Sequence, residues 1–436
     1  MTADAVRRTI DAVWRMESAK IIGALARVLR DVGLAEELAQ DALVAALEQW
    51  PDEGLPDNPG AWLMTAARRR AVDAIRRKAL HERNESALTF EIESQLQDAA
   101  PNLDARIEAA FDDPIGDDLL RLIFIACHPV LSRDARAALT LRLLGGLATD
   151  EIARAFLVPE PTVAQRIVRA KRTLAEARVP FELPPPAELG ARLASVLEVI
   201  YLIFNEGYAA TAGGDWMRPA LCEEALRLGR ILAQLAPAEP EAHGLVALME
   251  IQASRLRARV DAAGDPVLLL DQDRSRWDAL LIRRGLAALA RAEQLASAQS
   301  TGLDPYALQA AIAACHARAR AAVETDWARI AALYDALAQR APSPVVELNR
   351  AVAVGMAFGP AAGLELADAL REEPQLARYH LLPAVRADLL LKLGRRAEAR
   401  AEFLRAAELT RNERERRLLE ARAEQCGLDM FERRSD

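Results

Sequence analysis

Six polar side chains, Thr162, Gln165, Arg166, Arg169, Lys171 and Arg172, share a short stretch with the apolar stripe Val163, Ile167, Ala170 and Leu174. The stripe has helical spacing and must face inward, which leaves the long cationic and amide side chains on the other side. Such groups suit phosphate oxygens and the donors and acceptors of base edges, so the chemistry is nucleic-acid recognition. Just upstream, residues 149–156 place Ile152 and Phe156 on one face with the small Ala153 between them. A turn at residues 157–159 follows, and Pro161, with its fixed φ and missing N–H, opens the second helix. Together these features have the layout of a helix-turn-helix. An αα-hairpin with a solvated basic face would show the same pattern, and this stretch alone does not separate the two.

A second cationic run, Arg68, Arg69, Arg70, Arg76, Arg77 and Lys78, lies on the predicted helix 62–78. Such a helix can hold the backbone of a single strand freed from a duplex. It follows a Pro/Gly/Asp-rich loop, residues 51–60, that includes Asn58. Trp62, at its start, reads as a core or loop anchor rather than a platform for bases. Before the loop, residues 34–50 form an amphipathic helix with Leu38, Ala42, Ala45, Ala46 and Trp50 inward. Its outer positions, Glu36, Glu37, Gln40, Asp41 and Glu48, are acidic or amide. That face repels DNA and suits a basic protein surface.

Enzymatic chemistry finds little support. Cys127 and His128, like Cys315 and His316, are adjacent and so point about 100° apart on a helix, which makes no nucleophile–base couple. The four cysteines fall singly, without a disulfide framework or metal-ligand spacing. No phosphate-binding glycine loop or carboxylate dyad stands out, and the clusters Asn205-Glu206-Gly207 and Asp271-Gln272-Asp273 read as turn and cap chemistry. We therefore expect no catalytic residue, metal or cofactor. The net charge of −8 suits a DNA binder only because it is unevenly spread. Positive charge gathers at residues 68–78 and 166–172 and acid at 91–118.

At 436 residues the chain exceeds one ordinary core, and its Ala/Leu/Arg/Glu-rich, aromatic-poor composition favours helix throughout. The expected class is all-α. Helices within residues 1–80 give way to an acidic linker, 81–113, of weak periodicity. Residues 114–179 hold two further helices, a Gly145-Gly146 break and the helix-turn-helix. Pro180 and Pro184-Pro185-Pro186 then suggest a stiff hinge and a domain boundary. A helical extension, 187–299, precedes residues 300–425, where AVAVGMAFGPAAGL and ADLLLKLGRRAEA recur about 35 residues apart in the tetratricopeptide manner, best matched at 393–409. Neither an apolar run of spanning length nor a charged-then-apolar N-terminus is present, so a cytoplasmic chain with no membrane partner is expected.

In this order the pieces resemble bacterial RNA polymerase sigma factors of the extracytoplasmic-function type, within the sigma-70 family. Residues 34–78 resemble their second conserved region and 135–174 their fourth. Trp62-Leu63, Ala67-Arg68, Asp73 and Arg76-Arg77 match the promoter-melting helix; Thr162-Val163, Arg166, Arg169-Ala170-Lys171 and Leu174 match the −35-reading helix. Arg69 replaces a frequent Asn, and Leu157 and Pro161 stand where Gly is common. The resemblance implies core RNA polymerase and promoter DNA as partners. It places Glu37, Gln40, Asp41 and Glu48 against polymerase and Asn58, Trp62, Arg68, Arg69, Arg76 and Arg77 at the −10 element. Thr162, Gln165, Arg166, Arg169, Lys171 and Arg172 fall at the −35 element. The long extension resembles that of a subgroup with tetratricopeptide-like C-terminal domains, which implies regulation within the chain and a peptide or protein ligand for the repeats. The rival reading is a helix-turn-helix regulator with a tetratricopeptide sensor domain, which leaves the block 34–78 without a purpose.

Overall fold

A computed structural model describes residues 3–86, 115–156, 158–209 and 216–432. Among these residues the fold is helical, with a single isolated bridge between Val260 and Pro266. Contacts divide the chain into two compact units, Met1–Val199 and Ile200–Asp436.

The first unit opens with α1 (Ala3–Leu29), α2 (Val32–Glu53) and α3 (Pro59–Ser86), which pack on one another. Arg30, at φ 54, ends α1 in the left-handed region. Asp31 then caps α2 by accepting a hydrogen bond from the Leu34 amide at 3.0 Å. Asn58 does the same for α3, accepting from Ala61 N at 3.1 Å. The core they share includes Ile10, Ile21, Leu25, Leu38, Ala42, Ala46, Trp50, Leu63 and Ala67, all buried. Because α3 runs to Ser86, the start of the expected linker is helical; its residues 87–113 lie outside the described residues.

Next come α4 (Ile115–Ala126), α5 (Arg133–Leu143), α6 (Thr149–Phe156) and α7 (Glu160–Glu176). Ser132 caps α5, and Gly146, at φ 64, turns the chain towards α6 in a conformation that favours glycine. Helices α6 and α7 start and end close to the expected positions, with Ile152, Ala153, Val163, Ile167, Ala170 and Leu174 buried.

The proline run does not part the two units. Instead α8 (Pro186–Tyr208) starts at its last proline and runs through the division after Val199. Its first half is bound to α4 and α5. Arg192 donates to the Phe124 carbonyl at 2.9 Å, and Ser195 Oγ donates to the Cys127 carbonyl at 2.6 Å. The buried Arg136 guanidinium reaches Ser195 Oγ and pairs with Glu198 at 3.3 Å. Residues 187–199 thus belong with the helix-turn-helix, a shift that hydrogen-bond partners some 60 residues apart do not announce in the sequence.

The second unit continues with α9 (Pro219–Leu235), α10 (Pro240–Ala253), α11 (Ala279–Ala298), α12 (Pro305–Arg318) and α13 (Trp327–Arg340). It ends with α14 (Pro344–Phe358), α15 (Pro360–Ala369), α16 (Leu381–Lys392), α17 (Arg396–Leu409) and α18 (Glu413–Glu432), mostly packed neighbour on neighbour. The pair α14/α15 starts at 344 and 360 and the pair α16/α17 at 381 and 396, so one hairpin follows the other at nearly the expected interval. Phe403 anchors their shared core, fully buried among Leu348, Leu364, Leu390 and Leu419. The site-like polar clusters resolve into local chemistry: Asp273 caps a short 3-10 turn at Ser275, and Glu206 pairs with Arg218.

Helices α14 and α15 cross glycine on glycine. A Cβ on Gly363 would lie 2.7 Å from both the Ala351 carbonyl oxygen and Gly355 Cα. Gly363→Val should therefore cost roughly 2–3 kcal/mol through overpacking. Gly190→Ala, with nothing within 4 Å of its Cβ, should be neutral or stabilise slightly. Calorimetry of both variants checks the contrast, and equal melting would refute the tight crossing.

Candidate nucleic-acid interface

The outward face of α7 carries Gln165, Val168, Arg169 and Arg172, four exposed residues at helical spacing. Arg172 is held by Glu176 at 2.6 Å, an exposed pair that water screens. Two candidates are turned aside. Arg166 is half-buried and pairs with Asp134 of α5 at 2.9 Å, and Lys171 forms an ion pair with Glu36 of α2. Thr162 is half-buried in the first turn. Val168, 64% exposed, is an apolar side chain that polarity-based reasoning passes over; amid long polar arms it suits a thymine methyl group.

On α3 the exposed side is formed by Thr65, Arg69, Asp73, Arg76 and Arg77. Arg76 is within 4.0 Å of Asp73, so the stripe is cationic with one internal acid. Arg68 and Arg70 are half-buried, and Arg70 donates to the Ala66 carbonyl. Trp62 packs edge-to-face on the buried Trp50 with ring centroids 5.3 Å apart, which fixes α3 against α2. Asn58 is exposed, but its side-chain oxygen is used in capping α3.

On α2 the residues Glu37, Asp41, Val44 and Glu48 are exposed at positions i, i+4, i+7 and i+11, with Leu47 beside them. Acids flank two apolar side chains, Val44 at 50% and Leu47 at 39% exposure. This composition fits a protein surface that is basic at its edges and apolar within. Gln40 does not share that face. It is half-buried and hydrogen-bonded to Glu36, which is itself only 2% exposed. The sequence pattern places Glu36 outward; the structure corrects this, because Arg142 of α5 and Lys171 of α7 cover it. Nothing near Glu36 in sequence marks it, since its cations lie more than 100 residues away.

The thiols offer no nucleophile. All four cysteines are buried and unbridged. Burial pushes Cys127 up to about 11 and Cys222 up to about 12. His316 goes the other way, to about 4, through burial and the nearby Arg255 and Arg274 guanidiniums. Burial likewise raises the Cys315 thiol and lowers His128, so neither Cys–His neighbour pair is set up as a thiolate beside an imidazolium. Among the described residues no group of His, Cys, Asp and Glu is gathered for a metal, and no helix is long and apolar enough to cross a membrane.

Comparison with known proteins agrees with this geometry. Sigma-70 region 2 matches residues 14–80, which hold α2 and the basic part of α3. Sigma-70 region 4 matches residues 121–174, which hold α5 to α7. Residues 192–293 match a family of unknown function, DUF6596. The chain is 30% identical over 156 residues to the ECF RNA polymerase sigma factor SigK of Mycobacterium ulcerans (strain Agy99), covering 36% of this chain and 78% of that one. SigK of Mycobacterium tuberculosis (strain ATCC 25618 / H37Rv) is likewise 30% identical over 159 residues, with the same shares. The uncharacterized protein R00370 of Rhizobium meliloti (strain 1021) is 45% identical over 392 residues, 90% of this chain and 89% of that one, so the extension is shared as well. No solved structure matches. With both sigma modules in order and a named sigma factor matched over most of its length, the chain belongs to the ECF type of the sigma-70 family of RNA polymerase sigma factors.

Proposed function

We propose that this sigma factor, which binds core RNA polymerase and directs it to promoters, divides that work among three helix faces and keeps its regulator in the same chain. The observation that supports the division is the sorting of exposed side chains. The face of α7 is amide and cationic, that of α3 cationic, and that of α2 acidic and apolar. Gln165, Arg166, Arg169 and Val168 read the −35 bases, with Arg166 leaving Asp134 to do so, while Lys171, Arg172 and Thr162 engage phosphate and fix the register. Arg69, Arg76 and Arg77 hold the freed strand at the −10 element, with Arg68 and Trp62 bracing the helix and Asn58 in the loop before it. Glu37, Asp41 and Glu48 face polymerase, and Gln40 joins them once released from Glu36. The chain works in the cytoplasm, where its polymerase is.

Run-off transcription with purified core enzyme tests the reading. Promoter-directed transcripts should require core polymerase together with this chain. Gln165→Ala should cost roughly 1–3 kcal/mol at the preferred sequence and relax selectivity there, whereas Arg172→Ala should weaken all sequences alike and reduce the salt slope by about one. Binding to the promoter without core enzyme would instead favour a stand-alone helix-turn-helix regulator.

The second unit is the regulator in this reading. Stacked helical hairpins offer an extended surface that takes peptides or helices, so its ligand is a peptide or protein segment. Joined covalently to the sigma regions, it acts at high effective concentration on them or on polymerase.

A further inference from the structure

Arginine and aromatic side chains from three stretches of the second unit converge at the end of α10. Arg255 stands just after α10, and Arg259 lies one turn on, beyond a 3-10 turn at Leu256–Ala258. Tyr208 is the last residue of α8. Arg274 and Trp277 come from the segment before α11, which is tied back where the Asp278 amide donates to the Ser254 carbonyl at 2.8 Å. The two polar clusters marked in the sequence border this place, since Tyr208 follows Asn205-Glu206-Gly207 and Arg274 follows Asp271-Gln272-Asp273. Two of the guanidiniums are employed by the fold. Arg274 donates to the His316 and Ala319 carbonyls at 2.5 and 2.7 Å, at the C-terminal end of α12, where a cation is favoured. Arg259 lies over the Tyr208 ring at 3.7 Å and donates to the Tyr208 carbonyl at 3.0 Å. Arg255 is different. It is 8% exposed and lies 5.8 and 5.9 Å from the Tyr208 and Trp277 ring centroids. Among the described residues its guanidinium has no hydrogen-bond or ion-pair partner.

We propose that Arg255 anchors a binding site for a small organic carboxylate, its guanidinium taking the carboxylate while Tyr208 and Trp277 enclose the adjoining apolar part of the ligand. Three guanidiniums are gathered here, and among the described residues no carboxylate pairs with any of them. Glu324, whose field reaches Arg274, is exposed and accepts instead from the Arg320 amide at 3.0 Å. Burial first, and then Arg255, holds the Arg274 guanidinium and the His316 imidazole below their ordinary values. Burying a cation without a counter-charge is expensive, and stacking on two rings offsets only part of that cost. The atoms left over are donors: Nε of Arg255, Arg259 and Arg274, and Nε1 of Trp277, are all buried without a partner. Such a set selects an acceptor-only group, which is an anion. The planar fork of a guanidinium matches a carboxylate with two parallel hydrogen bonds. A phosphate dianion loses more hydration than an aromatic-walled, largely buried site returns. An opening this narrow admits a small group rather than a peptide backbone. The site therefore differs from the hairpins α14 to α17 and stands independently of the helix assignments above.

Calorimetric titration of the full chain with sodium acetate, sodium benzoate, sodium phosphate and a glutamate peptide blocked at both ends, all at one ionic strength, tests this. Benzoate should bind saturably and about tenfold more tightly than acetate, because its ring adds apolar contact with Tyr208 and Trp277. Phosphate and the peptide should not bind. Arg255→Lys keeps the charge but loses the fork and should weaken benzoate by about tenfold or more. Arg255→Met should abolish binding. It also removes an unpaired buried charge while keeping most of the apolar stem, so without ligand its second unit should melt roughly 2–4 °C above wild type. A guanidinium kept only to brace the two rings would show the reverse, and lower melting or loss of folding in Arg255→Met would overturn the proposal. So would the absence of saturable binding by either carboxylate, or benzoate binding that survives in Arg255→Met. Tighter binding of phosphate or of the glutamate peptide than of benzoate would assign the arginines to another class of ligand and equally overturn it.

Discussion

Asp41→Arg is expected to lower affinity for core polymerase tenfold or more, about 1.4 kcal/mol, while leaving the fold intact. Asp41 is exposed near the middle of α2, between Glu37 and Glu48 on the same face. Among the described residues none of these three acids forms an ion pair within the chain, so their charge is available to a partner. Substitution at such an exposed position changes stability by no more than about 0.5 kcal/mol. Reversal places a cation against the basic rim expected of the polymerase surface, and like-charge juxtaposition costs more than the loss of an attraction. Asp41→Asn should therefore lie between wild type and Asp41→Arg, and the spread should shrink as salt rises. A fluorescence titration of labelled core enzyme at two ionic strengths reads all three. Identical affinities would move the polymerase interface off this face, most directly to the exposed Val44 and Leu47.

Local patterns in the sequence were enough to place the helix-turn-helix, because an apolar stripe at helical spacing and a proline at the second helix start are decisive over short distances. Residues 149–156 form α6 as expected, and the four stripe residues of α7 are all buried. The inward positions of α2 follow for the same reason: Leu38, Ala42, Ala45, Ala46 and Trp50 each face the core. What periodicity cannot report is which polar position acquires a distant partner. Glu36 and Glu37 are adjacent acids on one helix, yet Glu36 is buried by cations from residues 142 and 171 while Glu37 remains in water. Lys171 and Arg166 were indistinguishable from Arg169 by type and are separated from it by neighbours that only the tertiary fold supplies. The boundary read at Pro184-Pro185-Pro186 is displaced to the division after Val199 for a different reason. Proline suits the first turn of a helix as well as a linker, and here Pro186 starts α8.

That start decides how the extension is to be removed. A chain ending at residue 179 discards the first half of α8 along with the second unit, and with it Ser195 and Glu198, the partners of Arg136. Arg136 is 9% exposed, and a buried guanidinium stripped of its carboxylate is destabilising by about 3–5 kcal/mol, less whatever water recovers once α8 no longer covers it. The Phe124 and Cys127 carbonyls lose their donors in the same cut. A fragment of residues 1–179 should therefore melt roughly 5–10 °C below one of residues 1–199. Glu198→Ala in the full chain should lower the melting of the first unit in the same direction, with a smaller effect because Ser195 remains. Only the longer fragment gives a fair comparison with the full chain in run-off transcription. There, loss of the second unit should change the transcript yield markedly at the same promoters, because the residues of α3 and α7 proposed to contact DNA are all retained. Equal melting of the two fragments would mean that α8 contributes nothing to region 4. Equal transcription by residues 1–199 and the full chain, at matched core affinity, would reduce the extension to a passenger.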